Sequence, residues 1–91
     1  MKKITITVVF NVGGHGNIGL IPTHYNQWTV NLTGSRDFNL DPGNYTITYL
    51  TATDALNGGG SITIIEEGSK QLGNVVLKAG VDGGTIDITV V

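Results

Sequence analysis

The sequence predicts an all-β protein, a Greek-key sandwich of about seven strands. Three observations carry this. Thr, Ile and Val supply about a third of the chain, and β-branched side chains are stiff at χ1 and suit a pleated surface. Apolar and polar residues alternate through most of its length, the period of a strand with one buried face. Gly and Asn recur between the alternating stretches, where turns demand them. At 91 residues the chain is one domain, 1–91.

Ile4, Ile6, Val8, Phe10 and Val12 alternate with Lys3, Thr5, Thr7, Val9 and Asn11 in a first strand. Residues 13–19 read as a glycine-rich loop, and Pro22 punctuates the segment after it. Trp28, Val30 and Leu32 alternate with Gln27, Thr29 and Asn31 in a second strand. Phe38 and Leu40 form a short third strand, with Asp37, Asn39 and Asp41 facing out. Asp41-Pro42-Gly43-Asn44 is a turn. Tyr45, Ile47 and Tyr49 define a fourth strand. Residues 53–60 read as a loop with room for one helical turn at Asp54-Ala55-Leu56. Ile62 and Ile64 begin a fifth strand, and Glu66-Glu67-Gly68-Ser69-Lys70 is a hairpin connection. Residues 72–78 make a sixth strand, Val81-Asp82-Gly83-Gly84 a turn, and Ile86, Ile88 and Val90 the last strand.

The stretch Phe38-Asn39-Leu40-Asp41-Pro42-Gly43-Asn44-Tyr45-Thr46-Ile47 resembles the F-x-L-x-P-G-x-Y-x-I segment of carboxypeptidase regulatory-like domains and of B-type repeats of bacterial surface adhesins. The resemblance implies an immunoglobulin-like or prealbumin-like sandwich with a non-catalytic role as spacer, adhesive module or regulatory appendage. B-type repeats can also join a first-strand Lys to a last-strand Asn or Asp by an isopeptide bond, with a carboxylic acid as catalyst. Lys2 or Lys3, Asp87, and Glu66 or Glu67 are the residues to consider. Lys3 and Asp87 alternate with core positions, so both should face water and the bond is not expected.

Composition excludes several classes. Five Lys+Arg and a net charge of −2 give no basic footprint for nucleic acid. With no Cys there is no disulfide framework, thiolate zinc site or cysteine nucleophile. No apolar run approaches the roughly 20 residues of a membrane-spanning helix, so no membrane insertion is expected. The charged start lacks a small-residue cleavage site as written. Localisation is therefore open between the cytoplasm, a virion and a mature extracellular fragment.

Gly14-His15-Gly16-Asn17-Ile18-Gly19 is literally G-x-G-x-x-G, but the dinucleotide fingerprint needs a helix starting within the loop. Leu20-Ile21-Pro22 follows instead. Asp37-x-Asn39-x-Asp41 opens like a calcium loop, yet Pro42 and Thr48 stand where an EF-hand needs Gly and Glu. On a strand the three lie about 6.6 Å apart, too far for one ion without bending. Asp37, Asn39 and Asp41 are the metal candidates to consider, with Asp54, Asp82 and Asp87 as loop contributors that nothing in the sequence shows to converge, and calcium is the cofactor they suggest. His15 and His24 lack a third zinc ligand or a nucleophile, and Ser35, Ser61 and Ser69 sit in turn-like contexts. No nucleophile–base–orienter set appears, so no enzyme is expected. Asn31-Leu32-Thr33 and Asn44-Tyr45-Thr46 match a glycosylation pattern and, without a signal peptide, read as chance.

Two functional expectations remain. In the terminal strands, residues 4–10 and 85–91 are β-branched and nearly free of charge, and Val9 and Val91 interrupt their polar faces. Thr7, Val9, Thr89 and Val91 are thus expected at an assembly edge that pairs with another copy or another protein, as in a virion, fibre or filament. Alternatively the strands pair inside one sheet. The second expectation is a small carbohydrate-binding module. Tyr25 and Trp28 would stack a sugar ring while Asn26 and Gln27, with His24, Asp54 or Asn57, bond its hydroxyls. Against this, the spacing of Trp28 with Val30 and Leu32 suits a core Trp.

Overall fold

A computed structural model describes residues 1–22, 28–31 and 33–91, with Trp28 described by its backbone. The chain forms eight strands: β1 Lys2–Phe10, β2 Gly14–Ile21, β3 Trp28–Asn31, β4 Gly34–Leu40, β5 Gly43–Thr53, β6 Gly60–Glu66, β7 Lys70–Leu77 and β8 Val81–Val90. They make two four-stranded antiparallel sheets, β4-β1-β6-β7 and β3-β2-β5-β8. The sheets close over one core containing Ile4, Ile6, Val8, Ile18, Leu20, Ile47, Ile62 and Ile64, all at most 1 % exposed.

The eighth strand corrects the count of seven. Residues 13–19 are not a loop: Gly14–Ile21 is β2, paired to β3 and to β5. Its glycines serve packing. A Cβ on Gly16 would sit 3.1 Å from Thr51 Cγ2 and 3.6 Å from Phe10 Cζ, and one on Gly14 would sit 2.7 Å from Thr53 Cγ2. Phe10 and the threonines of β5 occupy the room that the missing side chains leave. The turn expected at residues 81–84 lies earlier. There Lys78 N–H donates to Asp82 Oδ2 at 3.0 Å, and Val81 already begins β8.

Other expectations hold. Pro42 and Gly43 carry the chain from Leu40 of β4 into β5, and the Tyr45 hydroxyl donates to the Asp41 carbonyl at 2.7 Å. Leu40 and Ile47 are buried, and Phe38 and Tyr45 pack on the core. The β6–β7 connection turns through left-handed Gly68 (φ 89) and Ser69 (φ 70), with Ser69 N–H donating to Glu66 O at 3.1 Å.

Only β2–β3 and β6–β7 are neighbours both in sequence and in a sheet; the other connections cross between sheets. The terminal strands therefore part company. β1 lies inside its sheet, paired to β4 from Lys2 to Val8 and to β6 from Ile4 to Phe10. β8 is the edge of the other sheet, paired to β5 along all of Val81–Val90. The edge role expected of Thr7 and Val9 is thus corrected: both sit on an interior strand, opposite Thr63 and Ser61 of β6. No helix among the described residues is long and apolar enough to cross a membrane.

Candidate functional site

The outward faces carry few charges and many side-chain pairs set by strand register. On β1 and β4, Thr5 Oγ1 donates to Asp37 Oδ1 at 2.7 Å, and Thr7 and Ser35 hydroxyls meet at 3.1 Å. On the other sheet, Thr46 Oγ1 donates to Asp87 Oδ1 at 2.8 Å, Thr89 to Asn44 Oδ1 at 2.9 Å, and Thr29 to Asn17 Oδ1 at 2.9 Å. Each pair is directly opposite in its ladder. Cross-strand pairs of this kind contribute roughly 0.2–1 kcal/mol each.

The same registers place the sequence candidates. Asp37 is engaged by Thr5, Asn39 lies opposite Lys3, and Asp41 lies beyond the end of β4. Among the described residues no three of His, Cys, Asp and Glu converge on a common point. Lys3 and Asp87 face water on strands of different sheets. Lys2 instead reaches Glu66, Nζ to Oε2 3.7 Å, and Glu66 is only 5 % exposed. Its Oε1 has no hydrogen-bond partner among the described residues. The expected glycan residues Tyr25, Asn26 and Gln27, with His24 and Leu32, lie outside the described residues, as does the Trp28 side chain; its backbone pairs with Ile18.

Two features remain as candidate sites. The first is a trough of about 430 Å³ on the outer face of the β3-β2-β5-β8 sheet. His15, Asn17 and Thr29 form its polar side, and Leu50, Ala52 and Val81 its apolar side. His15 Nδ1 bonds Asn31 Oδ1; the amide oxygen only accepts, so Nδ1 carries the proton, and in the neutral ring Nε2 is then the acceptor. Thr29 uses the Asn17 oxygen, which leaves the Asn17 amide nitrogen as a donor toward the trough. A neutral donor–acceptor row beside an apolar strip suits a small uncharged polar molecule. Sequence reading missed this site because it took β2 for a loop. The alternation of His15 and Asn17 with Gly16 and Ile18 was the signal.

The second feature is the edge of β8, which no other strand among the described residues covers. A sheet edge offers unpaired N–H and C=O groups to any extended chain, and proteins guard such edges with charge, Pro, bulges or shortness. β3 is four residues long. β4 exposes Arg36 and Asp37, with the Arg36 guanidinium 5.4 Å over the Phe38 ring. β7 begins at Lys70 and shifts register opposite Ile64 and Ile65. β8 runs ten residues without Pro, Lys or Arg. Its two acids are occupied: Asp87 by Thr46, and Asp82 by the N–H groups of Lys78 and Gly83. The Lys78 N–H, foremost, and the Gly83 N–H hold the Asp82 carboxyl below its ordinary pKa. Val81 and Val91 at either end are 76 % and 64 % exposed. Of the residues expected at an assembly edge, Thr89 is on β8 and Val91 follows its last residue.

No family model, curated protein or solved structure matches this chain. Its two sheets and the two features on the β8 side are the ground for a functional reading.

Proposed function

We propose that the chain is a non-catalytic structural or adhesive module that works by accepting a strand from a neighbour along the free edge of β8. The observation that carries this is the contrast among the four edges: β8 alone combines length with the absence of basic residues, proline or a bulge. Main-chain bonds to the added strand would give affinity, and alternate side chains would give selectivity. For the finer fold we favour the prealbumin-like alternative. An immunoglobulin constant-type sandwich sets its first strand beside its second, whereas β1 lies between β4 and β6.

Light scattering over a concentration series, with negative-stain images of the same sample, tests the assembly reading. Oligomers or fibres that Val81→Lys and Val91→Lys abolish support it. A monomer at every concentration that also fails to gain mass from any added β-strand peptide contradicts it.

A second reading is favoured by the trough: contact with a neutral saccharide, its ring on Leu50 and Val81 and its hydroxyls on His15 and Asn17. Titration with methyl pyranosides, followed by backbone NMR shifts, would move residues 15–17, 29–31 and 50–52 in the native chain and spare them in Asn17→Leu. Equal shifts in both proteins would sink this reading.

A further inference from the structure

We infer that the strand added to β8 is β8 of a second copy, antiparallel, about a two-fold axis through Ile86. This rests on the β8-edge reading above and supplies its partner and register. The two faces of the sheet limit the choice. Asp82, Gly84, Ile86, Ile88 and Val90 share the inner face, and Val81, Gly83, Thr85, Asp87 and Thr89 the outer one, as their partners on β5 require. A two-fold axis normal to the sheet keeps inner positions opposite inner positions only when it passes through a residue, not between two. Only a few centres remain.

Centring on Asp87 sets that carboxylate against its own copy, and like charges directly opposite are destabilising. Centring on Thr85 leaves Val91 beyond the paired strand; it sets Asp82 against Ile88 of the other copy much as centring on Ile86 sets it against Val90, so only the lost overlap separates the two. Centring on Ile86 overlaps the strands along their whole length. Val81 then meets Val91 of the second copy, covering two of the more exposed large apolar side chains among the described residues. Ile86 meets its own copy. Thr85 meets Asp87, twice by symmetry.

That last pair repeats a device already built into the chain. Thr5 with Asp37 and Thr46 with Asp87 are outward-facing threonine–aspartate pairs, directly opposite across antiparallel strands, with hydroxyl-to-carboxylate distances of 2.7 and 2.8 Å. Asp87 Oδ1 accepts from the Thr46 hydroxyl, and a carboxylate has further acceptor sites for a second hydroxyl. The result is one continuous eight-stranded sheet across two copies, β3-β2-β5-β8 followed by its symmetry mate.

The chain has no Cys, so engineered thiols report without background. Residues directly opposite in an antiparallel pair have Cα atoms about 4.5–5.5 Å apart, within disulfide range. Val81→Cys and Val91→Cys are prepared as separate full-length proteins, oxidised alone and as an equimolar mixture, and resolved on a non-reducing gel. The inference predicts a covalent dimer in the mixture and little in either protein alone. Thr85→Val should weaken the dimer at least about tenfold without lowering the melting temperature of the monomer. A dimer band from Val91→Cys alone signals parallel pairing and overturns the register. Native oligomers by light scattering, without the mixed disulfide, overturn the register while leaving the β8-edge reading standing. A native chain that stays monomeric yet gains mass from an added β-strand peptide overturns the second copy as partner. A chain that does neither overturns both.

Discussion

β1 carries Ile4, Ile6, Val8 and Phe10 on its inner face, all buried. β8 carries Ile88 and Val90, buried, and Ile86, half-buried, on its own. Both strands put threonines outward, and each carries two charged residues, Lys2 and Lys3 on β1 and Asp82 and Asp87 on β8. Their places in the fold are opposite. β1 is hydrogen-bonded on two sides, and β8 on one. Along β7, Gly73 lets the other sheet approach β8, where a Cβ would stand 2.9 Å from Ile86 Cγ2. The contrast teaches that composition sets which face of a strand is buried, while topology sets whether its main chain is satisfied. An interior strand like β1 works through packing. An edge strand like β8 can work through its backbone.

The largest expected effect comes from truncating the two strands at matched places. Ile6→Ala should lower unfolding free energy by about 3–4 kcal/mol, because the site is closed on every side. Ile86→Ala should cost about 1–2 kcal/mol. Urea unfolding measures both, and equal losses would break the comparison. Next is association. Val91→Lys should weaken self-association at least about tenfold while changing monomer stability by less than about 0.5 kcal/mol. A large stability loss would mean that Val91 belongs to the core of the monomer.

Lys2→Met comes third. It removes the cation 3.7 Å from the buried Glu66 carboxylate, at a cost of about 1 kcal/mol because Lys2 itself is partly solvated. Glu66→Leu in the same background should restore or exceed native stability in the same urea assay.

The smallest effect concerns acid. Asp82 is held below the ordinary carboxylate pKa by the Lys78 N–H above all, and Asp54 by the N–H groups of Asn57 and Leu56. A depressed folded-state pKa contributes stability that is present above about pH 4 and lost as pH falls through the depressed value. Melting temperature against pH should therefore fall less steeply below about pH 4 in Asp82→Asn than in the native chain. An unchanged acid limb would show that the turn before β8 does not depend on this carboxylate.

Much of the architecture was legible because alternation reports which face is buried. Ile4, Ile6 and Val8, or Ile62 and Ile64, could hardly be read otherwise. The Asp41–Asn44 turn was legible because Pro fixes φ and Gly tolerates angles closed to other residues, both local properties. β2 was not, because Gly14 and Gly16 carry a second meaning: they make room for Phe10 of the preceding strand and for Thr53 and Thr51, which are distant in sequence. Strand order was not legible either. Five of the seven connections cross between sheets, and nothing in the alternation of β1 or β8 records its neighbours. The edge was therefore sought on both terminal strands and belongs to one. The trough needed β2 and β3 side by side, which no local pattern announces.

The most direct test is native-state amide hydrogen exchange, read by NMR at low and at high protein concentration. At low concentration the account predicts slow exchange throughout Ile4 to Val8 and alternating slow and fast exchange along β8. At high concentration the fast amides of β8 should slow while β1 stays unchanged. Uniform protection of β8 at low concentration, or an alternation that concentration does not alter, would contradict the claim that β8 is the edge through which this protein assembles.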